Sequence, residues 1–141
     1  MTGADLINHP PHYQGNRFES IEIIEAYRLG FHLGNSWKYL CRHSKKDGRV
    51  GLDKARWYFV RLLTIEEAWE DQVWLWKRPI RTLAPSSEIA RDFGLKNAEL
   101  NRVAACILDA GLAAQANEIK PWDLIGEGAS ILDAYLAKQP A

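Results

Sequence analysis

The run Gly34-Asn35-Ser36-Trp37-Lys38-Tyr39-Leu40-Cys41-Arg42-His43-Ser44-Lys45-Lys46-Asp47-Gly48 decides the fold. Trp37, Leu40, Cys41 and Ser44 recur at helical spacing on one face, while Lys38, Arg42 and Lys45/Lys46 recur at i, i+4 on the other. The pattern predicts an amphipathic helix over residues 34–46 that stops at Asp47-Gly48. Beyond it, Asp53 is suited to cap a longer helix through Ala55, Tyr58, Phe59, Leu62, Ile65 and Trp69. Two antiparallel helices joined by a short basic turn are the expected product.

Upstream, Asn8-His9-Pro10-Pro11-His12-Tyr13-Gln14-Gly15 carries two prolines that bar a helix interior, so an ordered extended arm is expected. Residues 20–29 read as a short helix with Ile21, Ile24 and Tyr27 inward and Glu22 and Glu25 outward, ended by Gly30. Downstream, residues 73–76 fit either a helix extension or a short strand. Residues 81–87 read as a linker, with Ser86 or Ser87 placed to cap the next helix. Helical signals then cover residues 87–93, residues 97–110 closed by Gly111, and residues 124–138. The fold class is mainly α: a front module over residues 1–80 with its arm, and a smaller helix-turn-helix-like module over residues 81–141.

The 141 residues are 47% apolar and 26% charged, the balance of a soluble domain that can bury a core. Eighteen basic and eighteen acidic side chains cancel, which argues against a surface devoted as a whole to DNA or anionic lipid. The cancellation is not local. Residues 36–61 hold eight basic residues (Lys38, Arg42, Lys45, Lys46, Arg49, Lys54, Arg56, Arg61) against Asp47 and Asp53, which marks a local anion site. All four histidines (His9, His12, His32, His43) fall in the same front stretch. No apolar run is long enough to cross a membrane, and the first residues lack the pattern of a signal peptide, so a cytoplasmic location is expected. Cys41 and Cys106 form no CxxC pair and read as free buried thiols.

Each motif has a chemical and a structural reading. His9 and His12, three apart on a stiff segment, suit a metal, a phosphate or base contact, or a backbone cap. Lys38, Arg42 and Lys46 form one helical stripe that Arg56 and Arg61 can face from the next helix, a clamp for phosphate oxygens or a solvated surface. Glu19, Glu22 and Glu25 stand at i, i+3, i+6, where carboxylates hold Mg²⁺ against nucleotide phosphates or simply line a helix. Asp53 is a further candidate for that metal. Of the six tryptophans, Trp57 is the choice for stacking on a base, together with Tyr13, and the others are filler for the core or an interface. No GxxxxGK[ST] loop, GxSxG elbow, kinase signature or HExxH helix occurs. Residues 89–103 have the small Ala90, the turn Gly94 and the apolar spacing of a helix-turn-helix. Because residues 88–111 hold three basic and four acidic residues, DNA binding there is possible but not favoured over a structural helical hairpin.

With these residues laid out, the front half resembles a family of small bacteriophage proteins, mostly labelled as a domain of unknown function. That family includes the Walker-less nucleotide kinase of T-odd coliphages. The resemblance rests on Asn8, His9, Pro10, His12 and Tyr13, the helix start at Glu19, then Gly34, Asn35, Lys38, Tyr39, Leu40 and Arg42. Lys46, Gly48, Asp53, Lys54, Ala55, Trp57 and Tyr58 complete it, over about residues 7–63. It implies a phage or prophage origin in the host cytoplasm, a nucleotide or deoxynucleotide ligand, and a homo-oligomer. The expected activity is deoxynucleoside monophosphate phosphorylation, with ATP as donor and Mg²⁺ as cofactor. Lys38, Arg42 and His12 would act on the phosphates, and His9, Tyr13, Asn35, Lys46, Arg56 and Trp57 would bind the nucleotide. Glu19, Glu22 and Asp53 would hold the metal. The alternatives are a non-catalytic protein that sequesters a nucleotide, and a regulatory protein that works through its helix-turn-helix-like segment.

Overall fold

The computed structural model describes residues 11–117 and 120–140, so His9 lies outside the described residues. Among the described residues there are seven α-helices and no strand. They are α1 (Ser20–Ala26), α2 (Phe31–Arg42), α3 (Arg49–Thr64), α4 (Glu66–Leu75), α5 (Ser86–Asp92), α6 (Ala98–Ala116) and α7 (Pro121–Ala137). The mainly α class read from the sequence is therefore correct. No described helix is long and apolar enough to cross a membrane.

Helices α2 and α3 form the expected pair, with one apolar face each turned inward. Trp37, Leu40 and Cys41 of α2 and Leu52, Ala55, Phe59 and Leu62 of α3 are buried, and the Ser36 hydroxyl donates to the Ala55 carbonyl at 3.0 Å. The rear helices close over this pair. Helix α7 packs on both α3 and α6, α6 also touches α2, and Phe93, just after α5, meets the Trp37 ring edge to face at 5.6 Å. Residues from both halves thus share one apolar core. Gly128 of α7 sits where α3 and α6 converge, and a Cβ there would come within 3.2 Å of Cys106 Cβ.

Several boundaries differ from expectation. Helix α2 starts at Phe31 and ends at Arg42, so Gly34 is an interior residue, Ser44 is exposed and Lys46 belongs to the turn. Asp47 and Gly48 both take positive φ, 71° and 50°, and these consecutive left-handed residues reverse the chain. Helix α3 therefore begins at Arg49, and Asp53 is not its cap but lies one turn inside, 3.6 Å from Arg49. The long helix expected to Trp69 breaks at Ile65, whose φ of −107° and ψ of 111° are extended; α4 then restarts with Glu66 and Glu67 in its first turn, where the helix dipole favours them. Residues 73–75 are helical, which settles the ambiguity at Val73-Trp74-Leu75-Trp76.

Tyr27 is buried as expected, whereas Ile21 shares the outer face with Glu25, four residues on, Ile24 is half-buried, and Ile23 and Ala26 take the inward positions of α1. Neither serine caps α5. Pro85 occupies that position, and the Ser86 hydroxyl donates to Asp109 at 2.6 Å. Gly111 does not end α6, which runs five residues further to a left-handed Asn117. Its lack of a side chain admits neighbours, since a Cβ would fall 2.7 Å from Ile80 Cδ1 and 2.8 Å from Trp76 Nε1.

Two polar clamps position the front segment. The Gln72 amide, buried, accepts from Gly30 N–H at 2.7 Å and donates to the Arg28 carbonyl at 2.8 Å, tying the α1–α2 turn to α4. Asp92, at the end of α5, accepts from the Arg17 N–H at 2.9 Å and the Phe18 N–H at 3.1 Å, and its carbonyl accepts from Asn16. Residues 11–13 form a single 3-10 turn ahead of that anchor. Asp92→Ala leaves those N–H groups without their carboxylate, with an expected loss of about 1–3 kcal/mol. A urea titration measures the loss, and faster amide exchange at residues 15–18 than in α6 would place it in the arm.

Candidate functional site

The cations at the α2–α3 turn gather around one buried guanidinium. The Arg42 side chain is only 7% exposed, and a charge so placed requires partners. Its Nη2 donates to Asp47 Oδ2 at 2.7 Å and its Nη1 to the Tyr13 hydroxyl at 2.5 Å. Nε, also buried, has no partner among the described residues. Tyr39 lies beneath several cations: Arg42 Cζ is 4.6 Å from its ring centroid, Lys38 Nζ 4.7 Å and Lys54 Nζ 5.3 Å. Such faces attract cations through the ring quadrupole and hold them near the surface. Tyr39 in turn stacks on Tyr58 with centroids 6.0 Å apart. Lys45 donates to the Gln14 carbonyl, which pins the arm over the turn.

His12 stands beside Tyr13, ring centroids 4.2 Å apart. Burial lowers its pKa from the ordinary value, and the nearby Lys46, Arg42 and Lys45 add to this while Asp47 opposes it. His12 is thus biased toward the neutral imidazole, able to donate or accept a hydrogen bond beside an anion. His32, lowered by burial and then by Arg61, has the same bias on the α2–α3 face.

Next to this cluster lies an open groove of about 340 Å³ lined by Ile24, Leu29, Phe31, Gly34, Asn35 and Lys38. Lys38 belongs to both features. Asn35 spends its Nδ2 on the Phe31 carbonyl at 2.7 Å, which leaves its Oδ1 as the amide's acceptor.

Of the residues singled out in the sequence, Lys38, Arg42, Tyr13, His12 and Lys46 come together here, and Asn35 joins through the groove. Arg56 does not, because it pairs with Asp133 of α7 at 2.6 Å. Trp57 is 54% exposed and edges onto Tyr58 rather than entering the cluster. The carboxylates chosen for Mg²⁺ do not converge. Glu19 and Glu22 cap α1 reciprocally, the Glu19 N–H donating to Glu22 at 2.9 Å, and Asp53 pairs with Arg49. Among the described residues no group of three or more His, Cys, Asp or Glu side chains is placed to hold a metal ion. Sequence reasoning overlooked the central role of Tyr39 and the part played by Lys54 and Asp47. Tyr39 and Arg42 stand at i, i+3, a spacing from which the contact was legible.

In the rear segment Ile89, Ala90, Phe93, Leu95, Leu100 and Val103 are all buried, as the helix-turn-helix spacing requires. Arg102 is committed to Glu127 at 2.7 Å and to Asp109 at 3.6 Å, which removes one of the three cations available for DNA there. Both cysteines are free and buried; burial raises the Cys41 thiol and pushes Cys106 up to about 12.

Residues 7–60 match the family model DUF3310, described as a protein of unknown function, and that span contains the whole cation cluster and its groove. No curated protein and no solved structure matches the chain.

This geometry makes two effects measurable. Asp47→Ala strands the Arg42 charge and is expected to destabilise the fold by about 3 kcal/mol in a thermal or urea titration. His12 and His32 both titrate below their ordinary value, so the unfolded chain binds more protons than the folded one on acidification. Their contribution to stability is complete above about pH 6.5 and is lost as pH falls below it. The melting temperature should drop between pH 7.5 and 5.5, and less so in a His12→Gln, His32→Gln double variant.

Proposed function

We propose that this chain binds a nucleoside monophosphate, with the phosphate at the Lys38–Arg42 cluster and the base in the adjoining groove. The position of Lys38 carries the reading, because one ammonium belongs both to a cation cluster and to an apolar groove of base size. Lys38, Lys46 and Lys54 supply positive charge around a rigid Arg42, and neutral His12 offers a hydrogen bond to a phosphate oxygen. Held by Tyr13 and Asp47, Arg42 needs little reorganisation when an anion arrives. Ile24 and Phe31 provide the apolar walls and Asn35 Oδ1 the acceptor for an exocyclic amine.

Capture rather than turnover is the form of this function that the residues favour, since Glu19, Glu22 and Asp53 are engaged elsewhere. Phosphorylation of deoxynucleoside monophosphates by ATP is the second reading. It draws on the resemblance of residues 7–63 to the phage family, and phage origin, host-cytoplasm location and homo-oligomeric state belong to that same proposal. A third reading, regulation through the helix-turn-helix-like segment, is weakened by the engagement of Arg102.

Calorimetry with the four deoxynucleoside monophosphates separates these. Binding without Mg²⁺, weakened roughly tenfold or more by Lys38→Ala, is the expected result for capture. Appearance of a diphosphate on adding ATP and Mg²⁺ would establish the kinase reading instead. Unchanged affinity in both Lys38→Ala and Arg42→Ala would remove the cluster from the site.

A further inference from the structure

Two helix stripes extend well beyond the space one nucleotide needs. Phe31, Asn35, Lys38 and Arg42 stand at i, i+4, i+7 and i+11 along α2. Lys54, Trp57, Tyr58 and Arg61 stand at i, i+3, i+4 and i+7 along α3. The contacts place the two stripes side by side. Phe31 meets Tyr58 at 5.8 Å, Tyr39 stacks on Tyr58, and Lys54 lies over Tyr39. The face carries aromatic rings that a core would ordinarily cover, with Phe31 70% exposed and Trp57 54%. The Arg61 guanidinium lies 5.5 Å from the Trp57 ring, so this ring too is backed by a cation. Helix α2 contains no acidic residue and α3 none after Asp53. Carboxylates beside the face are Asp47, paired with Arg42 and 4.0 Å from Lys54, Asp53, paired with Arg49, and Asp71, whose charge reaches His32.

We infer that this α2–α3 face is a track for single-stranded nucleic acid, with exposed aromatic rings stacking bases and the flanking lysines and arginines following the phosphates. The inference rests on the anion-binding reading of Lys38 and Arg42 and extends it to a polymer. A mononucleotide uses the Lys38 end and the groove but leaves Trp57 and Arg61 without a task. A strand engages both, because it alternates flat apolar surfaces with phosphate charges, as the face alternates rings with cations. The span suits it as well. From Phe31 to Lys38 the helix rises ~10 Å at 1.5 Å per residue, as does α3 from Lys54 to Arg61, comparable with on the order of three stacked nucleotides at ~3.4 Å each. Duplex DNA keeps its base faces stacked inside and offers only base edges and phosphates, so the exposed rings distinguish a single strand from a double one.

The test uses the full chain and a fluorescent mixed-sequence twelve-nucleotide DNA, single-stranded or annealed, with the four deoxynucleoside monophosphates as competitors in anisotropy titrations. The single strand is expected to bind at least roughly tenfold tighter than the best monophosphate and than the duplex, with Trp57→Ala and Arg61→Gln each weakening it. Three engaged cations would make log K fall with log salt at a slope of about −2. Both side chains are on the surface, and a circular dichroism melt of each variant confirms that the fold is kept. A single strand that binds no tighter than a monophosphate overturns the track and leaves the monophosphate reading standing. Strand binding that neither substitution changes also overturns it. If monophosphates and strand both fail to bind, the monophosphate reading falls with it.

Discussion

A guanidinium buried at the end of a helix must be paired, and the pairing of Arg42 organises the front of this molecule. Asp47 can reach it only because the chain turns back through two left-handed residues at Asp47 and Gly48, and that turn sets where α3 begins. Tyr13 can reach it only if the arm lies across the turn, where Lys45 and, further along, Asp92 hold it. One desolvated charge therefore ties the arm to the helix pair, and Asp92 separately anchors the arm to α5. Removing a partner costs more than one hydrogen bond because the charge stays behind.

The same constraint shapes the chemistry. A rigid cation fixed by its own carboxylate and phenol is a poor mobile ligand but a good preorganised one; Lys38 and Lys54 rest on the Tyr39 ring beside it, and Lys54 also stands 4.0 Å from Asp47. Aromatic faces keep these ammonium groups close to one another where water alone would let them separate. Lys38 also lines an apolar groove, and the groove's Phe31 wall is one of the exposed rings of α2 and α3. The carboxylates near it serve structure: Asp47 neutralises Arg42, and Glu19 and Glu22 cap α1.

Much of the cation cluster was legible as a candidate site, and what was missed is specific. Lys38 and Arg42 were found because charge at i, i+4 without intervening acids is a local property of the chain. Their different fates were not, since helical spacing alone treated both as surface residues. Arg56 belonged to the same basic run, yet its partner Asp133 lies 77 residues away and no local pattern points to it. The capping role of Glu19 went unread because glutamate is an unusual residue at that position, where serine, threonine, aspartate or asparagine is the recognisable signal.

By itself the sequence determined that the chain is helical, where the apolar faces of α2 and α3 lie and that positive charge concentrates between residues 36 and 61, because periodicity and composition depend only on neighbours in the chain. Tertiary structure decided which of those charges is buried, which are paired across the molecule and which stay exposed over aromatic rings. It also decided that Gly111 admits Trp76 and Ile80 rather than ending α6. Desolvation and long-range pairing are set by what the fold places opposite a side chain, and that is not encoded in its spacing.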